Sequence, residues 1–190
     1  MDLFMGATKI RLLTYKDKYL TAEDDEESVS QNRDGSSENS VWIVECEEKR
    51  NIVRFKSRFG KYLSASNVPI GHGHTAKKVL QILPEKRTDI SVEWEPIRDG
   101  FQVRLKTLMG DFLRPNGGLP PYRNVITHDI PHRPTTKYKL LWFIEVVEPR
   151  IVNVFKFQFR RSKSDDFSSR SSSLNTRPFY WDKVRNRFLI

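Results

Sequence analysis

One short pattern occurs three times in this chain, and it constrains the fold more than any other feature. Each copy has an alternating apolar and basic run, an aromatic–Leu pair and a Trp-bearing segment, with a period of 43 to 52 residues. Units that repeat in this way cannot bury their apolar faces alone, so they pack on one another. The sequence therefore predicts three repeats over about residues 8–48, 51–97 and 100–148.

The first two segments of every repeat predict a β-hairpin. In the first copy Ile10 and Leu12 alternate with Arg11, and this period of two is typical of a half-buried strand. A turn-forming residue stands two positions before each aromatic, where a glycine adopts positive φ without steric cost. We therefore predict a turn at that position and an inward leucine after each aromatic. The turn residues are Asp17, Gly60 and Gly110, and the leucines are Leu20, Leu63 and Leu113.

Two further strands complete each repeat. Third strands are predicted over about residues 28–31, 79–83 and 125–128, and a Trp-bearing strand follows each of them. Twelve strands in three equivalent sets indicate a closed barrel capped by hairpins, which leaves few free strand edges. The predicted fold is therefore all-β, a single β-trefoil over residues 1–149. Three tryptophans are assigned to its core: Trp42, Trp94 and Trp142.

Three arginines recur at the same position of the repeat. Arg11, Arg54 and Arg104 alternate with the inward residues, so we predict that they lie on the outer face of the barrel. Acidic residues beside each tryptophan are their expected partners. Exposed ion pairs of this kind contribute about 0–1 kcal/mol.

Net charge divides the chain into two parts. Residues 1–149 carry 23 Lys/Arg against 21 Asp/Glu, whereas residues 150–190 carry ten against three. The second part is rich in Ser and Arg and lacks the apolar content that offsets ordering entropy. We predict a basic, largely flexible C-terminal extension whose serines are candidates for phosphorylation. Nucleic acid is a disfavoured partner, because the repeats are nearly balanced in charge and carry no stacking motif.

Cysteine usage and hydropathy predict the cellular compartment. A single cysteine, Cys46, excludes an internal disulfide framework and is typical of a reducing compartment. The first residues carry an acid where a signal peptide has bases. No stretch approaches the roughly 18 apolar residues of a membrane helix. We therefore predict a soluble cytoplasmic protein that is not secreted and has no transmembrane segment.

The residues that could carry chemistry form no recognised catalytic or metal motif. There is no nucleophile elbow, phosphate-binding loop or dinucleotide fingerprint. His72 and His74 share a Gly-spaced loop, and a proline between His128 and His132 argues against a shared helical face; bonding to loop backbone is the alternative to metal ligation. The acidic run at residues 23–27 lacks calcium-loop spacing and is typical of a solvated loop. We predict a protein that is not an enzyme and has no cofactor or metal.

Basic and aromatic loop residues are the candidates for partner binding. Tyr122 beside Asn116 and Asn124 is the best candidate for a sugar site, because a sugar-binding trefoil needs an exposed aromatic beside amide or carboxylate acceptors. The basic residues are candidates for contact with an acidic partner. The full set is Lys77, Lys78, Tyr122, Arg123, Arg160, Arg161 and Lys163.

Several longer motifs resemble a plant family of unknown function. Its members are commonly labelled fascin-like or actin-cross-linking, because their fold resembles the trefoils of fascin. The resemblance covers about residues 1–149 and implies a β-trefoil that associates with actin, whereas the residues after 150 do not match the family pattern. The matching segments are 24–31 (DDEESVSQ), 35–37 (GSS), 92–98 (VEWEPIR), 117–121 (GGLPP) and 127–133 (THDIPHR).

The function predicted from these observations is non-enzymatic binding of a macromolecule. An actin filament or a scaffolding partner is the first hypothesis, since filaments are acidic and basic loops dock on them by charge complementarity. A carbohydrate-binding, lectin-like trefoil is the alternative. The sequence leaves the choice of ligand open between them.

Overall fold

Strands arranged in the three predicted repeats form the framework of the chain that the structure describes. The structure is a computed structural model and describes residues 1–72, 75–86, 88–130 and 134–150. Each third strand is present within two residues of its predicted bounds. The strands are β1 (Ala7–Thr14), β2 (Tyr19–Ala22), β3 (Val29–Asn32), β4 (Trp42–Glu47), β5 (Ile52–Lys56), β6 (Tyr62–Pro69), β7 (Lys77–Ile82), β8 (Trp94–Asp99), β9 (Gln102–Thr107), β10 (Phe112–Pro115), β11 (Ile126–Asp129) and β12 (Trp142–Pro149).

The helical elements are short. Side-chain oxygens of Ser37 and Asp89 cap two of them by accepting hydrogen bonds from backbone N–H groups two residues on. In the described ranges, no helix has the length and apolar character needed to span a bilayer. The elements are α1 (Asp2–Met5) and 3-10 helices at Glu38–Ser40, Glu48–Arg50, Ile90–Val92 and Pro134–Leu140.

Six strands close into a barrel. β1 pairs with β4, β4 with β5, β5 with β8, β8 with β9, β9 with β12, and β12 returns to β1, all antiparallel. The ladder between β1 and β12 runs from Ala7 opposite Pro149 to Thr14 opposite Trp142. The first and third repeats are therefore joined as neighbours, and closure removes the edges that an open sheet would expose.

The other six strands form three hairpins, each made of the second and third strands of a repeat. The sequence predicted hairpins of the first and second strands, but those strands share only one residue pair in each repeat, because the first strand pairs within the barrel. β2 pairs with β3, β6 with β7 and β10 with β11. The hairpins also meet one another, because Ser28 bridges Leu80, Ser30 bridges Val125, and β11 pairs with β7. A six-stranded barrel with three mutually contacting hairpins is a β-trefoil, which confirms the fold predicted from the repeats.

The predicted core residues are fully buried. The three repeated tryptophans and the three hairpin leucines are each 0 % exposed. In every repeat the indole Nε1 donates a hydrogen bond of 3.0–3.2 Å to the carbonyl of the hairpin leucine. These bonds satisfy an N–H whose burial without a partner would cost about 1–3 kcal/mol. The pairs are Trp42 with Leu20, Trp94 with Leu63 and Trp142 with Leu113.

The three predicted turn residues all adopt left-handed backbone conformations. The φ angle is 54° at Asp17, 79° at Gly60 and 98° at Gly110. The backbone N–H of each donates to the carbonyl three residues earlier, at 3.0–3.1 Å. Glycine takes this conformation without the steric cost that a side chain brings, which accounts for its use in two of the three turns.

The repeated arginines are paired, but one pair differs from the prediction. Arg11 lies on the outer face and donates to Glu145 at 2.9 Å, as expected. Arg54 contacts Glu93, the acid directly before Trp94, which is the expected kind of partner. The Glu93 side chain, however, is 0 % exposed and also accepts from Arg50 at 2.7 Å. Burial opposes ionisation of Glu93, yet the two guanidinium groups outweigh it and lower its pKa. The predicted weak, exposed pair is therefore wrong at Arg54, since breaking a buried pair costs about 3–5 kcal/mol.

Candidate functional site

The three hairpins meet at polar junctions that are equivalent by pseudo-threefold symmetry. At each junction one buried side chain stands on the third strand, directly opposite the hairpin leucine. These side chains are Gln31, Gln81 and His128, which are only 3–4 % exposed. Each of them reaches into a neighbouring repeat, so the junctions hold the repeats together.

The two glutamines bond to backbone carbonyls across their junctions. Gln31 Nε2 donates to the carbonyl of Asn116 and, at 3.4 Å, to that of Arg123. Gln81 Nε2 donates to the carbonyls of Glu23 and Ser28 in repeat one, at 3.2 and 3.0 Å. Buried carbonyls need such donors, so these amides position the loops that line each junction.

His128 takes the place of the glutamine in the third repeat. Its Nε2 lies 2.7 Å from the carbonyl of Ser66, and its Nδ1 lies 2.9 Å from the carboxylate of Asp111. The histidine is thus bonded to backbone, which was the predicted alternative to metal ligation. Within the described ranges, no three metal-binding side chains come together.

An open cleft of about 430 Å³ lies at the junction of repeats one and three. It is formed by the hairpin turn of repeat one, the end of β3 and the loop between β10 and β11. Of its nine residues, four are cationic, four carry carboxamides and one is glycine. We call it the basic cleft, and its residues are Lys16, Lys18, Gln31, Asn32, Arg33, Asn116, Gly117, Arg123 and Asn124.

The cations of the basic cleft have no carboxylate among its nine residues to neutralise them. Lys18 Nζ donates instead to the neutral Oδ1 of Asn124, at 2.8 Å. Partial burial lowers the pKa of Lys18, and the charges of Arg123, Arg33 and Lys16 lower it further. A negatively charged ligand would relieve this repulsion, so the arrangement is suited to binding an anion.

Asparagines give the basic cleft unused hydrogen-bonding capacity. Nδ2 of Asn116 donates to a threonine hydroxyl at 3.0 Å, and Oδ1 of Asn32 accepts from a backbone N–H at 3.2 Å. Their remaining amide atoms, and Nδ2 of Asn124, have no hydrogen-bond partner in the part of the chain that the structure describes. These atoms are available to donate to, or accept from, a ligand hydroxyl group.

Gly117 makes room for one cation at the edge of the basic cleft. A methyl group on its Cα would lie 2.5 Å from Nζ of Lys16 and 3.4 Å from the hydroxyl of Tyr15. The absence of a side chain therefore lets the Lys16 ammonium approach repeat three. The obstructed atom is the end of a flexible side chain, so a larger residue here would move the cation rather than the barrel.

The acidic run occupies the equivalent junction between repeats two and one. Lys61 Nζ bonds to the carbonyl of Glu26 at 2.8 Å and lies 3.3 Å from its carboxylate. We call this the Lys61 junction, consisting of Lys61, Glu26 and Gln81. The acids are largely exposed, as predicted for a solvated loop. Asp25 nevertheless accepts hydrogen bonds of 2.9 and 2.7 Å from two backbone N–H groups, so the loop is also ordered by its own side chains.

The structure brings only part of the predicted partner-binding set to the basic cleft. Arg123 lines it, together with Asn116 and Asn124 of the predicted sugar site. Tyr122 belongs to the same loop but does not line the cleft. Lys77 and Lys78 lie on β7 and do not line the basic cleft. Arg160, Arg161 and Lys163, the predicted flexible extension, His74 and His132 lie outside the described residues.

Three cations of the basic cleft are absent from the sequence prediction: Lys16, Lys18 and Arg33. A signal for two of them is present in the repeats, because the third repeat has Met109 and Asp111 at the positions of Lys16 and Lys18. Comparing equivalent turn positions would have shown this difference in charge. Arg33 carries no such signal, since its place beside the loop of repeat three depends on the closed fold.

Cys46 lies half-buried against the core. Burial raises the pKa of its thiol, so the thiolate is disfavoured. Cys46 therefore behaves as a small apolar residue that packs against the core.

Comparison with known families gives one match to the sequence. Residues 1–142 match the sequence model of a family described as β-trefoil domain of unknown function (DUF569). The matched span contains the first eleven strands and ends at the first residue of β12. A search of curated proteins finds no match.

Solved structures share the fold at low sequence identity. A mosquitocidal holotoxin has a TM-score of 0.58 at 14% identity, with 73% of this chain and 17% of that chain covered. The designed threefold-symmetric protein ThreeFoil has a TM-score of 0.57 at 17% identity, with coverage of 73% and 98%. A ricin B-like lectin of Macrolepiota procera, in complex with lactose, has a TM-score of 0.58 at 14% identity, with coverage of 74% and 96%. At these identities the likeness shows the β-trefoil fold alone.

Proposed function

Because this chain belongs to the DUF569 family of β-trefoil domains, whose function is unknown, we propose that it is a non-catalytic module that binds an anionic ligand in the basic cleft. One observation carries the proposal: four cations line a single cleft with no carboxylate among its residues. Folding that brings like charges together without compensation is unfavourable, and a bound anion removes the penalty.

Binding rather than catalysis is supported by the chemistry of the lining residues. General acid–base catalysis needs a group whose pKa lies near the operating pH, most often a histidine or a carboxylic acid. The basic cleft is lined by lysine, arginine, carboxamides and glycine instead. These groups hold and orient a charged ligand, and the nine lining residues include neither a histidine nor a carboxylic acid.

A neutral sugar is the alternative ligand, as predicted from the sequence. The lectin of Macrolepiota procera is described in complex with lactose, and it shares the fold of this chain. The lining of the basic cleft, however, contains no aromatic ring on which a sugar could stack, and Tyr122 stands outside it. The surplus of positive charge therefore favours an anionic ligand over a neutral one.

Actin-filament association, the first hypothesis from the sequence, can be tested on the same surface. The support is electrostatic, since an acidic filament complements Lys18 and its three cationic neighbours. Co-sedimentation at low salt with the Lys18→Met variant as comparison measures it. If the protein stays in the supernatant when the filaments are pelleted, this hypothesis is overturned and the anion-binding proposal is left intact.

The direct test is a titration of the full chain with sodium phosphate at constant ionic strength, in which two-dimensional ¹H–¹⁵N NMR monitors the backbone amides. We expect the largest shifts at backbone amides of residues 16–18, 31–33 and 116–124. Lactose in a parallel titration is expected to leave these residues unperturbed. Residue-level detection separates the cleft from the basic extension, which attracts anions through its own charge.

Lys18→Met and Lys61→Met form a matched pair for this experiment. Both remove one lysine from the same position of a hairpin, but only Lys18 lies in the basic cleft. Loss of a charge-assisted contact is expected to weaken phosphate binding about tenfold in Lys18→Met and to leave it unchanged in Lys61→Met. Phosphate shifts that avoid the cleft, or that survive Lys18→Met unchanged, overturn the proposed function.

A further inference from the structure

The basic cleft offers two kinds of contact, and together they define a class of ligand. We infer that it binds a polyhydroxylated compound carrying at least two phosphate groups, an inference that rests on the proposed function. The number of phosphate groups is inferred from the positive charge of the cleft, and the hydroxyl groups are inferred from the amide atoms that have no partner among the described residues. The size, about 430 Å³, is within the roughly 300–1,000 Å³ typical of small-molecule sites.

The charge of the cleft calls for more than one anionic group. Lys16, Lys18, Arg33 and Arg123 contribute four positive charges, and Arg123, Arg33 and Lys16 all disfavour the protonated form of Lys18. One carboxylate would neutralise a quarter of that charge. A phosphate ester carries about −1.5 to −2 charges at neutral pH, so two of them balance the cleft.

The types of cation also suit phosphate. Guanidinium groups present a planar fork that donates two parallel hydrogen bonds to phosphate oxygens, and Arg33 and Arg123 supply two of them. Lys16 and Lys18 add point charges that follow an anion of any orientation. A bisphosphate can therefore engage both kinds of donor at once.

The carboxamides indicate that the part of the ligand between the phosphates carries hydroxyl groups. Oδ1 of Asn116 accepts, and Nδ2 of Asn32 and of Asn124 donate, without partners among the described residues. A hydroxyl group is both donor and acceptor, so it matches either kind of amide atom. Apolar carbon chains would leave these atoms unpaired, at a cost of about a hydrogen bond each.

A nucleotide fits the same cleft less well. Stacking against an aromatic side chain is a common way to hold a base without Watson–Crick readout. The nine residues that line the cleft include none. The structure therefore favours a sugar or cyclic polyol phosphate over a nucleoside phosphate.

The other two pseudo-equivalent junctions do not form a second or third copy of this site. At the Lys61 junction the lysine is already paired with Glu26 at 3.3 Å. At the third junction an acid, Asp111, stands where Lys18 stands in the first, and it is bonded to His128 at 2.9 Å. The trefoil is therefore expected to bind one such ligand per chain.

Isothermal titration calorimetry of the full chain with fructose 1,6-bisphosphate tests the inference. Inorganic phosphate and fructose are the reference ligands, and all titrations are made at the same ionic strength. We expect a single site at which the bisphosphate binds at least tenfold more tightly than phosphate, while fructose produces no heat. Asn124→Asp, which places a carboxylate beside Lys18, is expected to weaken bisphosphate binding about tenfold to a hundredfold. Lys61→Met is the matched control and is expected to bind normally.

The outcomes separate this inference from the proposed function. A bisphosphate that binds no more tightly than phosphate, while phosphate still shifts the cleft resonances, overturns the ligand class alone. Absence of cleft shifts with either ligand overturns both. Tighter binding of adenosine diphosphate or of a sulfated heparin disaccharide than of the bisphosphate also overturns the assignment, as does a loss in Lys61→Met equal to that in Asn124→Asp.

Discussion

Lys18 and Lys61 occupy the same position in two repeats, one residue before the hairpin tyrosine, yet their surroundings differ. Lys18 donates to the neutral amide of Asn124 at 2.8 Å and is surrounded by other cations. Lys61 lies 3.3 Å from the carboxylate of Glu26 and donates to the same residue's carbonyl at 2.8 Å. The backbone is equivalent at the two places, so the difference in charge comes from the loop that the adjacent repeat supplies.

This contrast shows how a symmetric fold acquires one binding site. The barrel and the hairpin turns are set by apolar residues and turn residues that recur in every repeat. The loops between the second and third strands differ, with an acidic run in repeat one and an Asn- and Gly-rich segment without acidic residues in repeat three. The acidic loop neutralises Lys61 of repeat two, whereas the loop of repeat three leaves Lys16 and Lys18 of repeat one available for a ligand.

The largest expected effects come from the buried amide side chains at the basic cleft and at the Lys61 junction. Gln31→Ala and Gln81→Ala each remove a donor from two backbone carbonyls. Each variant is expected to lower the free energy of unfolding by about 1–3 kcal/mol, measured by urea denaturation. Phosphate binding should weaken only in Gln31→Ala, because only that amide holds the loop of the basic cleft. Equal loss of binding in both variants would show that the two regions are not independent.

A smaller effect is expected from pH. Partial burial and then neighbouring cations lower the pKa of Lys18 below its ordinary value of 10.5. Affinity for phosphate should therefore fall, by up to about tenfold, as the pH rises through that lowered pKa. The free energy of unfolding should change in the opposite direction, because a depressed lysine pKa makes the charged form unfavourable in the folded state and deprotonation relieves it.

Lys18→Arg is the control for this titration. The guanidinium group stays protonated throughout the range, so the decrease in affinity that deprotonation of Lys18 causes should be absent when affinity is measured by calorimetry. A pH dependence that is unchanged by Lys18→Arg would assign the titration to another group.

The smallest effect is expected at the Lys61 junction. Glu26→Gln removes the carboxylate and keeps the length of the side chain, so Lys61 loses its ion-pair partner and keeps its hydrogen bond to the backbone carbonyl. Exposed ion pairs are worth about 0–1 kcal/mol, which corresponds to a gain of up to about fivefold in local phosphate binding. The measurement is the phosphate-induced NMR shift at Lys61, with the shift at Lys18 as the internal reference. If phosphate binds at Lys61 as tightly as it binds in the basic cleft, several neighbouring cations are not needed for phosphate binding.

Much of the fold follows from short-range patterns. Leu20 and Trp42 are buried and hydrogen-bonded to each other because the repeat places both on inward positions, and Asp17 adopts the positive φ of its turn. The burial of the Arg54–Glu93 pair does not follow from such patterns. It arises because β5 lies between β4 and β8 in the barrel, which brings Arg54 close to an acid that directly precedes β8.

The candidate site is less predictable than the fold. Arg123 and the two asparagines of its loop stand out in the sequence as polar loop residues, and they do line the basic cleft. Lys18 is separated from Asn124 by 106 positions, so no local pattern connects them. Lys77 and Lys78 carry charge of the same sign but lie on another strand, which composition alone could not reveal.

The amino-acid sequence alone determined the repeat, its hairpin turns and its buried tryptophans, since strand period, turn chemistry and apolar burial are local properties that recur three times. The closed barrel alone decided which loops become neighbours. Electrostatic interactions act between groups that are close in space, whatever their separation along the chain. Only the tertiary structure could therefore show that one lysine is neutralised by an acidic loop while its equivalent joins three other cations in a cleft.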